Sequence, residues 1–179
     1  MNSILENKAY LILICLLLGI LTSFSLPPYN LVFINFLTLP LLLYILVNYV
    51  DNKTISFFVG WIFGFGYFIS NLYWITNSLT FDVNFKFIIP FALILIPLFL
   101  GMFYGLVTFL CNFFNLKNKI SSILIFSIFF GGIEFLRSFI FGGFPWNLVV
   151  FSLSNNLPSL QILSFIGTYS LNLLSTTIF

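Results

Sequence analysis

The chain predicts an all-α integral membrane protein, a bundle of about six transmembrane helices with a cytoplasmic N-terminus, and three observations carry that prediction. Of its 179 residues, 61% are hydrophobic and only 6% charged, where a water-soluble domain carries about 25% charged residues. Apolar runs long enough to supply the ~20 residues that cross a bilayer alternate with short polar or proline-rich breaks. Finally, an inside N-terminus puts Lys8, Lys53, Lys117 and Lys119 on the cytoplasmic side and Lys86 outside, the bias that membrane insertion favours.

The first span is expected over 9–26, ended by Pro27-Pro28-Tyr29-Asn30, and the second over 31–50, ended by Asp51, Asn52 and Lys53. So short a connection makes them an antiparallel hairpin. A third span is expected over 56–79, a fourth over 87–114 with kinks at Pro90 and Pro97, and a fifth over 120–141. The sixth covers 159–179, which leaves 142–158 on the outer face. A signal peptide is the alternative for the first span, with Lys8 in its basic region and Ser23-Phe24-Ser25 at the cleavage site. Its apolar run exceeds the about 7–15 residues of such a segment, so a retained helix is expected. No internal repeat or linker divides the chain, and 1–179 reads as one membrane domain.

Several function classes drop out. The net charge of +2 is scattered, with no Lys/Arg cluster to hold phosphates, so no nucleic-acid partner is expected. There is no histidine, which removes the commonest general base and metal ligand; neither a metal nor a cofactor is expected. Cys15 and Cys111 lie in apolar runs, where a thiol packs as a small hydrophobe. No catalytic residue is assigned.

The residues that ask for a role lie in Glu134-Phe135-Leu136-Arg137 and the turn after it. Charges at membrane depth are costly and mark functional candidates. Glu134 and Arg137 are spaced i, i+3 and can pair on one helix face; Gly142, Gly143, Pro145 and Trp146 then break the helix where an interfacial aromatic belongs. Two roles are open for the pair. It can lock its helix to a neighbour, or Arg137 can hold a lipid phosphate arriving from the outer leaflet. In the third span Asn71, Trp74 and Asn77 recur at i, i+3 and i+6 near the outer end, either as an aromatic belt or as the wall of a head-group site. Gly60 with Gly64 and Gly101 with Gly105 form small-xxx-small pairs, expected to pack helices within the bundle rather than between copies.

Taken in order, Pro27-Pro28-Tyr29-Asn30, Gly60-Trp61-Ile62-Phe63-Gly64-Phe65-Gly66 leading to Tyr73-Trp74-Ile75, Glu134-Phe135-Leu136-Arg137, Gly143-Phe144-Pro145-Trp146-Asn147, and Gly167-Thr168-Tyr169 with Leu171-Asn172 form a set. That set resembles the amino-terminal membrane part of the apolipoprotein N-acyltransferases, over nearly the whole chain. It departs after the tryptophan, where Val150-Phe151-Ser152 stands for the family's usual Gly-Tyr-Ser. The resemblance implies a bacterial inner-membrane, multi-pass protein of lipoprotein maturation, in which a phospholipid acyl donor and a diacylglyceryl-cysteine lipoprotein meet at the outer face. It also implies that the reacting cysteine, with a glutamate and a lysine, belongs to a nitrilase-like domain that these residues do not contain. Glu134, Arg137, Phe144, Pro145, Trp146, Asn147, Asn71 and Trp74 are then expected to position lipid. The chain is expected to be a truncated module, inactive alone unless a separately encoded catalytic domain joins it. The competing class is a noncatalytic transporter or channel subunit, for which Pro90 and Pro97 hint at a broken helix.

Overall fold

The computed structural model describes residues 8–114, 116, 119–140 and 145–179. It is helical throughout, with no strand among the described residues. Among the described residues seven α-helices follow in order: α1 (Lys8–Ser23), α2 (Asn35–Tyr49), α3 (Lys53–Leu72), α4 (Ile89–Cys111), α5 (Lys119–Phe139), α6 (Leu157–Ile166) and α7 (Thr168–Ile178). Short 3-10 helices stand between them at Val32–Ile34, Tyr73–Thr80, Val83–Ile88 and Val149–Leu153.

Among the described residues four stretches are long and apolar enough to cross a membrane: Val32–Tyr49, Lys53–Thr80, Val83–Cys111 and Ile120–Phe139. The first and last of the six expected spans take shorter forms, for local reasons. α1 stops at Ser23 because the hydroxyls of Thr22 and Ser25 turn back onto the carbonyls of Leu18 and Thr22, both at 2.7 Å, and prolines follow at once. The sixth stretch is broken in two at Gly167, whose φ of 79° only glycine adopts freely. The third and fourth stretches also change character at their facing ends. α3 gives way to a 3-10 helix after Leu72, and another 3-10 helix precedes α4. Pro90 falls in the first turn of α4, where its missing N–H costs nothing, so of the two expected kink sites only Pro97 is inside the helix.

Glycines set how closely the helices approach. A Cβ at Gly19 would run into the carbonyl oxygen of Phe63, and one at Gly60 into the Tyr104 carbonyl and the Thr108 hydroxyl. Gly64 faces Gly101, with 2.8 Å from a built Cβ to the Gly101 Cα. So α1 lies on α3, and α3 on α4, with backbones nearly touching. Ser56 and Thr108 exploit that approach, each hydroxyl donating to the other's carbonyl at 2.6 Å. Elsewhere α7 packs against α5, and Asn35 at the start of α2 donates to the buried Ser152 hydroxyl at 3.1 Å.

The two ends of the bundle differ in chemistry. At one end Lys53 lies 3.6 Å over the Phe113 ring, Asn112 donates to the Val50 carbonyl at 3.1 Å, and Lys8 borders a hollow with Ile55 and Phe58. The other end gathers tryptophan, tyrosine and asparagine.

Candidate functional site

Glu134 and Arg137 face inward from the last turns of α5, and both are buried, at 0% and 1% exposure. Their charges lie 3.8 Å apart, Arg137 Nη2 to Glu134 Oε1. The carboxylate also accepts from the Tyr104 hydroxyl on α4 at 2.8 Å and from Asn172 Nδ2 on α7. A carboxylate needs several donors to be tolerated in an apolar interior, and three helices supply them here.

From this centre hydrogen bonds run outward to the turn that follows α5. Arg137 Nη2 donates to the Trp146 carbonyl at 3.1 Å, and its guanidinium lies 5.1 Å over the Phe68 ring. The Tyr67 hydroxyl donates to the Asn147 carbonyl at 2.9 Å. Asn172 completes the set by accepting from the Val150 amide at 2.9 Å while its own amide serves Glu134. Asn147 itself has φ of 58°, a conformation asparagine tolerates better than most residues. The described part of the turn is therefore held through the Trp146 and Asn147 carbonyls, with the Trp146 side chain about half exposed and that of Asn147 partly so.

Those side chains build a cleft. Trp146 stacks on Trp74, ring centroids 5.2 Å apart and planes 19° from parallel, each about half exposed. Beside them, a hollow of about 330 Å³ is lined by Pro27, Pro28 and Tyr29 of the α1–α2 turn, by Asn71 and Trp74, and by Asn147. None of the described residues lining it is charged. Stacking faces and amide groups suit a neutral or zwitterionic ligand better than a bare anion.

Of the expected site residues, Glu134 and Arg137 meet in the buried centre, while Asn71, Trp74 and Asn147 line the cleft, with Trp146 stacked on Trp74 beside it. Pro145 leads into the turn without lining the cleft, and Phe144 lies outside the described residues. Asn77 lies in the 3-10 helix that follows α3 and is not among the residues lining the cleft; its carbonyl accepts from the Thr80 hydroxyl at 2.7 Å. Of the two roles open for Arg137, the geometry serves the structural one, because its guanidinium is turned inward to the Trp146 carbonyl. Sequence reasoning missed Tyr67 and Tyr104, and it quoted Asn172 in the resemblance without giving it a role. The available signal was a polar group within an apolar run, each of which must find a hydrogen-bond partner when buried.

Replacing Asn172 by alanine is expected to leave both the Glu134 carboxylate and the Val150 N–H a partner short, at about 1–3 kcal/mol for each group. Thermal unfolding in detergent reads that loss. Asn172→Asp, similar in shape but repelling Glu134, should unfold at a still lower temperature.

No group of three or more His, Cys, Asp or Glu side chains comes together among the described residues, and Cys15 and Cys111 are buried on α1 and α4, away from the cleft. The arrangement can hold and orient a ligand; no cysteine stands among the described residues that line the cleft. Fold and site together define a helical membrane protein with a buried ion pair under an uncharged aromatic cleft. The chain belongs to the family described as the apolipoprotein N-acyltransferase N-terminal domain, which it matches over residues 18–178.

Curated relatives that bear the name apolipoprotein N-acyltransferase include those of three bacteria. The protein of Rhizobium rhizogenes is 30% identical over 176 residues, covering 93% of this chain and 33% of that protein. That of Brucella melitensis is 30% identical over 90% of this chain and 32% of its own length. That of Rickettsia prowazekii is 37% identical over 89% of this chain and 32% of its own length. The chain thus spans about a third of the length of the curated relatives it matches.

Proposed function

We propose that this chain is the lipid-holding membrane part of an apolipoprotein N-acyltransferase. It works in lipoprotein maturation at the outer face of the bacterial inner membrane, which it crosses several times with the N-terminus inside. The observation that carries the reading is the uncharged cleft under the Trp74–Trp146 stack, in a chain matching the family over residues 18–178. Orientation follows from charge: Lys8 and Lys53 lie at the end opposite the tryptophans, and positive ends stay inside. The aromatic end is then the outer one.

In this reading the cleft receives the head-group and ester region of a phospholipid acyl donor, or the diacylglyceryl group of the lipoprotein that accepts the acyl chain. Tyr29, Asn71 and Asn147 supply polar contacts and the tryptophans a stacking wall. Acyl transfer itself falls to groups other than Cys15 and Cys111, since each thiol is buried among apolar side chains of a helix. The protein holds the substrates; a nitrilase-like domain, whether joined or separately encoded, carries the reacting cysteine.

A phospholipid with a photoreactive group beside its glycerol tests this in proteoliposomes. Label is expected in the peptides holding Asn71, Trp74 and Asn147, with a marked loss in the Trp74→Ala/Trp146→Ala variant. Label spread evenly along the lipid-facing side of α4, and unchanged in that variant, would sink the proposal.

A further inference from the structure

The connection between α3 and α4 carries a surface that neither the buried centre nor the cleft accounts for. The two stretches it joins, Lys53–Thr80 and Val83–Cys111, are 28 and 29 residues long, well beyond the ~20 that cross the hydrocarbon. Their facing ends therefore extend past the apolar slab. Where a water-exposed connection would be polar, this one presents Phe81 at 92% exposure, Val83 at 76% and Phe87 at 70%, with Phe85 half exposed beside them. Asp82, Asn84 and Lys86 alternate with these four, and the Asp82 carboxylate accepts from the Asn84 amide at 2.9 Å to fix the bend.

We propose that residues 81–87 form a membrane-interface anchor, the four apolar side chains seated in the boundary between head groups and acyl chains at the aromatic end of the bundle. Two observations select phospholipid as the occupant. The apolar surface does not stop at the arm: Phe87, Phe91, Leu95 and Phe99 follow at four-residue intervals, all exposed, and run into the outward face of α4. Arm and lipid-facing span are one surface, so what covers the span reaches the arm. Charge agrees, because one acid and one base, Asp82 and Lys86, leave the arm neutral, with an amphipathic composition suited to a zwitterionic interface.

α6 shows the contrast. It is exposed along its length, with Leu157, Ile162 and Phe165 facing out and no charge anywhere from residue 138 to 179, a composition for the hydrocarbon itself. An interface is where apolar and charged side chains alternate. Seated there, the arm would hold Trp74, seven residues before Phe81, at the depth of the head groups. The inference requires only that α3 and α4 cross the membrane, and it stands whatever the cleft binds.

The test attaches an environment-sensitive fluorophore to Phe81→Cys and Phe85→Cys in the full chain, reconstituted in phosphatidylcholine vesicles. Unsubstituted protein, whose two thiols are buried, supplies the labelling background. A blue-shifted emission is expected, with the greatest loss from lipids carrying a nitroxide near the head group. Quenching of the Phe81 and Phe85 probes by iodide alone would put the arm in water. Insensitivity to both quenchers would mean a protein cover, and strongest quenching by a deep nitroxide would put the arm in the hydrocarbon. Each of those results overturns the proposal. Val83→Cys and Phe87→Cys repeat the reading, so one misfolded variant does not decide it.

Discussion

Glu134→Ala is expected to destabilise the protein by about 3–5 kcal/mol, because it leaves the Arg137 charge buried without its counter-ion. The same change removes the acceptor of the Tyr104 hydroxyl and of the Asn172 amide, so α4, α5 and α7 lose their common point. Cys15 and Cys111 provide the readout. Both thiols are buried, and a thiol-reactive dye reports the temperature at which they become accessible. Glu134→Gln, which keeps hydrogen-bonding atoms but not the charge, should fall between wild type and alanine. The decisive variant is Glu134→Leu/Arg137→Leu, expected to be more stable than the sum of its single changes predicts, since it removes both charges together. Simple additivity would mean that the two side chains act independently, contrary to the geometry described.

The second large effect concerns backbone contact. Gly19→Ala and Gly60→Ala each put a methyl group against a neighbouring carbonyl, that of Phe63 and that of Tyr104, and backbone cannot rotate aside as a side chain can. A loss at or above the usual overpacking cost of about 1–3 kcal/mol is expected for each, with α1 or α4 displaced from α3. Gly132→Ala is the internal comparison. A Cβ there meets nothing within 4 Å, so the better helix propensity of alanine, up to about 1 kcal/mol, should leave stability unchanged or raised. The same dye measurement ranks the three, and a Gly19 variant as stable as the Gly132 variant would refute the close approach of α1 to α3.

How much of this the sequence carried depends on the reach of each signal. Membrane character rests on summed hydropathy, which is insensitive to detail, and so does the position of the long apolar stretches. Glu134 and Arg137 stood out because charges are rare in such runs. The partners were harder to see: Asn172 sits in a polar-tinged run, Thr168–Ile178, where any of several side chains could have faced α5. Helix type was not visible either. Tyr73 to Thr80 reads as a continuation of α3, since aromatic and hydroxyl side chains suit both kinds of helix, and the change after Leu72 depends on tertiary packing. At Gly167 the break lies in a backbone angle that hydropathy does not register. The departure at Val150-Phe151-Ser152 illustrates the converse, for the Val150 amide and the Ser152 hydroxyl are both engaged in buried hydrogen bonds.

The break at Gly167 also bears on how the chain enters a membrane. α6 has 10 residues, and at ~1.5 Å per residue it does not reach across ~30 Å of hydrocarbon. α7 further carries Asn172, Ser175 and Thr176, all buried, so its passage out of the insertion channel is poorly rewarded by lipid alone. Its reward is α5, already in place, with a carboxylate that needs the Asn172 amide and a Gly131 that lets Leu173 approach. Insertion of α7 thus becomes an act of assembly: the helices before it prepare a polar socket, and α7 enters the bilayer by filling it.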